Sequence, residues 1–193
     1  MITVIFATNN QHKVDEIRAV TAGKFNIITM KEAGINIDIP EPHDNLTDNA
    51  IEKAKVLHQL TNENVFSEDT GLEVDALNGE PGVKSARYAG DQKNFQANID
   101  KLLENLSSHP NKKARFRTVI CLIWNNEMHL FEGVCEGQII AEQSGEKGFG
   151  YDPVFVPDGS NKTFAQMSME EKNLFSHRRK ATDQLIGFLL QQA

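Results

Sequence analysis

Hydrophobic and polar positions along the chain alternate between strand and helix spacings, and the changes of period mark out the elements. Residues 2–8 form a short apolar run that reads as a buried strand, and Asn9-Asn10 follows as a cap for a helix whose apolar face is Val14, Ile17 and Val20. Thr47 is the expected cap of a second helix with Ala50, Ile51, Ala54, Leu57 and Leu60 on one face. Val65-Phe66 opens a strand, which the Asp69-Thr70-Gly71 corner is expected to end. Leu72, Val74 and Ala76 then alternate as a half-buried strand, and Asn78-Gly79-Glu80-Pro81-Gly82 is rich in turn formers. A third helix carries Phe95, Ile99, Leu102, Leu103 and Leu106. Residues 115–124 and 128–141 alternate as two long strands around Asn125-Asn126-Glu127, the signature of an antiparallel hairpin. Ser168-Met169-Glu170-Glu171 has capping-box spacing, and Ala181, Leu185, Phe188 and Leu189 give a final amphipathic helix. Hairpins mixed with strand-helix units predict an α/β fold with a mixed central sheet flanked by helices, in one domain spanning residues 1–193 and built as two lobes.

Composition narrows the class. A chain of 193 residues with 39% hydrophobic content can bury one substantial core. The longest apolar stretches, such as residues 119–124, fall far short of the roughly 20 residues that span a bilayer, and the N-terminus lacks the basic-then-apolar pattern of a signal segment. A soluble, cytoplasmic protein is expected. Cys121 and Cys135 sit in alternating apolar segments without metal-ligand spacing, so they read as reduced core residues. The net charge of -7 argues against a nucleic-acid partner, because such affinity comes from many basic side chains acting together. The basic set Lys112, Lys113, Arg115 and Arg117 reads as a solvated strand face.

Some segments carry more chemistry than a scaffold needs. Thr8-Asn9-Asn10-Gln11-His12-Lys13 lies at a strand-to-helix turn, where free backbone N–H groups and the helix dipole favour an anion, and Lys13 adds a full charge. It lacks the glycines of a P-loop. Adjacent carboxylates in Ser67-Glu68-Asp69-Thr70-Gly71 repel one another unless a cation offsets them, which suggests a Mg²⁺ site of hard oxygens. Asp69 is the chosen ligand and Glu68 the alternative, with Glu41, stiffened by Pro40 and Pro42, as a second donor. Further on, Gly148 and Gly150 leave room around Phe149 for its ring to lie against a base, beside Tyr151 and Asp152. Lys172, His177 and Arg178 recur on a helical segment as a compact cationic set. Together these are the means to hold a flat, hydrogen-bonding, anionic ligand such as a nucleotide.

The order and wording of these blocks carry a resemblance over essentially the whole chain. Thr8-Asn9-Asn10-x-x-Lys13, Glu68-Asp69-Thr70-Gly71-Leu72, Pro81-Gly82-x-x-Ser85-Ala86-Arg87-Tyr88, Gly148-Phe149-Gly150-Tyr151-Asp152-Pro153 and Ser176-His177-Arg178 closely resemble the inosine triphosphate pyrophosphatase family, the Ham1-type noncanonical purine nucleoside triphosphatases. Asn9 and Lys147 stand where glycine is common in that family. The resemblance implies Mg²⁺-dependent hydrolysis of ITP, dITP and XTP to the monophosphate and pyrophosphate, by a homodimer with its active site in the cleft between the lobes. It implies that Thr8, Asn10 and Lys13 hold the triphosphate within the loop that also contains Asn9, Gln11 and His12. Glu41 and Asp69 would hold the metal, Asp69 would also orient or deprotonate the attacking water, and Thr70 would contact phosphate. Phe149 would stack on the purine, with Gly150, Tyr151, Asp152, Lys172, His177 and Arg178 lining the base and phosphate pocket. A pyrimidine-directed pyrophosphatase or a non-catalytic nucleotide sensor are the alternative readings.

Overall fold

The structure is a computed structural model that describes residues 2–21 and 23–192. Its elements run β1 (Thr3–Phe6), α1 (Gln11–Thr21), β2 (Asn26–Thr29), α2 (Leu46–Thr61), β3 (Val65–Val74), β4 (Pro81–Gly82), α3 (Phe95–Leu106), β5 (Lys113–Trp124), β6 (Glu127–Ile139), β7 (Phe155–Pro157), α4 (Met169–Asn173) and α5 (His177–Gln191). The strands hydrogen-bond in the order β2-β1-β3-β5-β6-β7, with β4 attached to β3. β1 is parallel to both β2 and β3, whereas β4 on β3 and β7 on β6 are antiparallel, so the sheet is mixed as its sequence pattern predicts. No helix among the described residues is long and apolar enough to cross a membrane.

The chain forms two compact units. The first comprises Met1–Asp69, Thr118–Gly133 and Arg178–Ala193. Its core joins Val4, Phe6, Val14, Ile17, Phe66, Ile120, Leu122, Leu185 and Leu189. Phe6 and Phe66, paired across the β1–β3 register, stack with centroids 4.3 Å apart. The second unit comprises Thr70–Arg117 and Val134–His177, with a core of Leu72, Val74, Ile99, Leu102, Leu106, Phe116, Phe155 and Phe164 among others. Cys121 and Cys135 are both buried in the core.

Local chemistry explains where the elements depart from expectation. α2 is capped by Asn45, whose side chain accepts from Asp48 N–H, and not by Thr47. Its buried stripe is Leu46, Asn49, Ala50, Lys53, Ala54 and Leu57, so Leu60 lies outside it at 60% exposure. β3 does not end at Asp69-Thr70-Gly71 but continues unbroken through it. Gly71 serves the approach of another strand: a Cβ there would lie 2.5 Å from the Gly82 carbonyl on β4. β2 was not anticipated, because Asn26-Ile27-Ile28-Thr29 is too short to show a period. The hairpin forms, with Asn125 and Asn126 at φ 50° and 67° making the tight turn, so Glu127 already belongs to β6. The Ser168–Glu171 capping box is present but opens only the short α4. Lys172 and His177 therefore lie on separate helices.

Candidate active site

In the first unit, β1 hands the chain to α1 through a turn built by its own side chains. Thr8 Oγ accepts from Asn10 N–H at 3.1 Å, and Asn10 Oδ1 accepts from His12 N–H at 3.1 Å, which makes Asn10 the cap of α1. Asn9 donates to the Ile37 carbonyl at 3.3 Å, and Gln11 to Asp15 at 2.7 Å. Lys13, in the first turn of the helix, reaches Glu68 Oε1 at 3.3 Å.

Glu41 and Asp69, the two carboxylates expected to hold Mg²⁺, converge on the ammonium of Lys53. Its Nζ donates to Glu41 Oε1 at 2.7 Å, to the Glu68 carbonyl at 2.8 Å and to Asp69 Oδ1 at 3.1 Å. Three oxygens thus match the three N–H groups of one ammonium. Lys53 was absent from the expected site, yet the sequence carries a signal for it: a charge on the buried stripe of α2, between Ala50 and Leu57. Burial alone would push the Lys53 ammonium down, but Asp69 and Glu41 outweigh it and hold the group above its ordinary range. Burial pushes the Asp69 carboxyl up, against the lowering effect of Lys53 and Lys13.

Glu68 has different partners. Arg178, on the first turn of α5, grips its carboxylate with both faces of the guanidinium fork, Nε to Oε2 at 2.8 Å and Nη2 to Oε1 at 2.9 Å. Arg178 Nη1 also donates to Glu16, a buried carboxylate of α1. The guanidinium is buried, and Glu68 and Glu16 hold it charged against that burial. The sequence reading missed Glu16, which lies off the Val14–Ile17 stripe of α1 and gives no local signal of its burial against Arg178. Glu68 thus faces Lys13 and Arg178, while the adjacent Asp69 faces Lys53, as strand alternation requires.

In the second unit, the glycine run curls around a carboxylate. Asp152 Oδ2 accepts from Phe149 N–H at 3.0 Å and from Lys172 Nζ at 2.8 Å. Gly148 adopts φ +75°, and a Cβ there would collide with this same carboxylate. Lys172 Nζ lies 5.3 Å from the centre of the half-buried Phe149 ring, and Gly150 turns at φ 62°. Tyr151 is buried and donates its hydroxyl to the Ser85 carbonyl at 2.8 Å, and burial pushes that hydroxyl's pKa up. His177 is buried and stacks on Phe116 at 4.7 Å, whereas its neighbour Arg178 belongs to the Glu68 cluster of the first unit. Thr70 lies half-buried on β3.

These donors suit a divalent cation. Glu41 and Asp69 aim hard oxygens at one positive charge, and Mg²⁺ takes few protein carboxylates, completing its shell with water and phosphate oxygens. Among the described residues no group of three or more His, Cys, Asp or Glu converges.

Residues 4–188 match the model of the Ham1 family. A protein from Porphyromonas gingivalis, named dITP/XTP pyrophosphatase, is 52% identical over 98% of each chain. One of the same name from Flavobacterium psychrophilum is 48% identical over 96% of this chain and 97% of its own. Among solved structures, the Staphylococcus aureus Ham1 protein superposes with a TM-score of 0.90 at 38% identity, covering 99% of this chain and all (100%) of that one.

Proposed function

Because the chain belongs to the Ham1 family, we propose that it hydrolyses noncanonical purine nucleoside triphosphates, dITP, ITP and XTP, to the monophosphate and pyrophosphate, with Mg²⁺ and as a homodimer. The observation that most supports this reading is the convergence of the Glu41 and Asp69 carboxylates on one point of positive charge, the Lys53 ammonium, with Lys13 in the first turn of a helix that follows an anion-favouring turn.

The reaction requires water to form a bond to the α-phosphorus as the bond to the bridging oxygen breaks, the electron pair leaving with pyrophosphate. Asp69 receives the water's proton at its carboxylate, and its burial makes that carboxylate a stronger base than an exposed aspartate. Thr8, Asn10 and the α1 backbone orient the phosphates, Lys13 and Lys53 offset their charge, and Thr70 adds a hydroxyl contact. Bound between Glu41 and Asp69, Mg²⁺ would supply Lewis-acid neutralisation of phosphate oxygens. Phe149 stacks on the purine. Asp152 and Lys172 hold the segment that carries the Phe149 ring, and in the first unit Arg178 fixes Glu68 and through it Lys13.

A single assay tests the reading: incubation with Mg²⁺ and ITP, XTP, dUTP or ATP separately, with pyrophosphate measured against orthophosphate. Pyrophosphate release favouring ITP and XTP is expected. Orthophosphate as product, or equal turnover of all four, would overturn it.

A further inference from the structure

The Lys53 ammonium engages the two carboxylate oxygens that a metal ion shared by Glu41 and Asp69 would need. A Mg²⁺ bound to Glu41 Oε1 and Asp69 Oδ1 sits about 2.0–2.1 Å from each oxygen. The Lys53 ammonium lies 2.7 and 3.1 Å from the same two atoms, so an ion bound to both would compete with it for the same oxygens. We infer that Lys53 is an internal counter-cation that holds the Glu41–Asp69 pair together in the metal-free protein and is expelled when the divalent ion arrives. This rests on the metal assignment proposed above.

Two features of the chain fit such an exchange. Lys53 reaches its position on a long, unbranched side chain from the middle of α2, so it can move by rotation about its own bonds while the helix stays packed through Ala50, Ala54 and Leu57. The anchoring oxygens also differ in freedom. Asp69 is buried on β3, whereas the Glu41 side chain is 31% exposed, outside any helix or strand, so one jaw is fixed and the other can adjust. The charge of the cluster changes sign in the process. Two carboxylates and one ammonium carry a net negative charge, which repels a free triphosphate. With a divalent ion in place and the ammonium displaced but nearby, the same cluster is net positive, and the freed ammonium is available to a phosphate oxygen. Metal and nucleotide therefore bind cooperatively, the metal alone being opposed by Lys53 and the metal with phosphate favoured by it.

The exchange is tested by calorimetric titration of MnCl₂ into nucleotide-free wild type and Lys53→Met, with Lys53→Gln as a second variant should the first fold poorly. The variant is expected to bind Mn²⁺ at least tenfold more tightly than wild type, and adding Glu41→Gln to it should remove that gain. In wild type, acetylation of Lys53 followed by mass spectrometry should be slow without metal and faster when Mn²⁺ is present. Equal or weaker Mn²⁺ binding by both Lys53 variants, or an acetylation rate indifferent to Mn²⁺, would overturn the exchange. Failure of wild type to take up Mn²⁺ even with a non-hydrolysable ITP analogue would instead sink the metal assignment, and the exchange with it.

Discussion

Replacing Arg178 with methionine separates a structural clamp from a purely ligand-reading arginine. In the folded protein the guanidinium makes two hydrogen bonds to Glu68, whose side chain is fully buried at 0% exposure, and a third to Glu16 at 8%. Arg178→Met keeps most of the apolar stem but leaves both carboxylates without their shared cation. Removing one partner of a buried pair costs about 3–5 kcal/mol, because the remaining charge is desolvated without compensation. Lys13 stays 3.3 Å from Glu68 and offsets part of that, so the lower end applies, about 3–4 kcal/mol. For a chain of this size that is a fall in Tm of roughly 6–16 °C. Urea unfolding followed by circular dichroism reads the loss directly. Arg178→Lys should lose about half as much, since it keeps the charge without the fork. Glu68→Gln placed on the Arg178→Met background should recover part of the loss. An Arg178→Met protein within 1 kcal/mol of wild type would refute the clamp and leave Arg178 as a ligand contact only.

Further outcomes follow from the same geometry. Asp69→Asn should still fold, Lys53 keeping Glu41 as its partner, and lose about a hundredfold in kcat, roughly 3 kcal/mol of transition-state stabilisation; near wild-type turnover would remove Asp69 from the chemistry. In the metal-free protein, burial raises the Asp69 pKa above its ordinary value of 3.8. An NMR titration of that carboxyl without metal should accordingly show a midpoint above 3.8, and a midpoint at or below it would contradict the desolvation of the site. Lys53 is raised above its ordinary 10.5, so its stabilising contribution is complete below pH 10.5 and is lost as pH rises through the higher folded value. The stability gap between wild type and Lys53→Met should therefore hold to pH 10.5 and narrow only above it, as urea midpoints across that range would show. Gly148→Ala combines a left-handed φ with a clash against Asp152, so a loss of about 1–3 kcal/mol and a raised KM are expected. Unchanged values would mean that the glycine turn does not hold the carboxylate in place.

Much of the fold is written in local pattern. The helix face around Val14 and Ile17, the Asn125-Asn126 turn and the Ser168–Glu171 capping box each depend on residues close in the chain, and each appears where its spacing predicts, whereas the strand over 115–124 forms but alternates only at its start, its residues 118–123 being buried on both faces. What failed locally failed for identifiable reasons. The expected corner at Asp69-Thr70-Gly71 is an unbroken strand because Gly71 answers to β4, a partner that the local sequence does not reveal. The site divides in the same way. Residue types and order are enough to nominate Glu41, Asp69, Lys13, Phe149, Asp152 and Lys172, since carboxylates, lysines and glycine turns carry their chemistry with them. Only the tertiary structure decides which charge meets which: Lys53 between Glu41 and Asp69, and Arg178 between Glu68 and Glu16, 110 and 162 residues away in the chain. Partnerships across such separations leave no periodic trace in sequence. They are fixed when α1, α2, β3 and α5 pack and burial forces each charge to find its opposite.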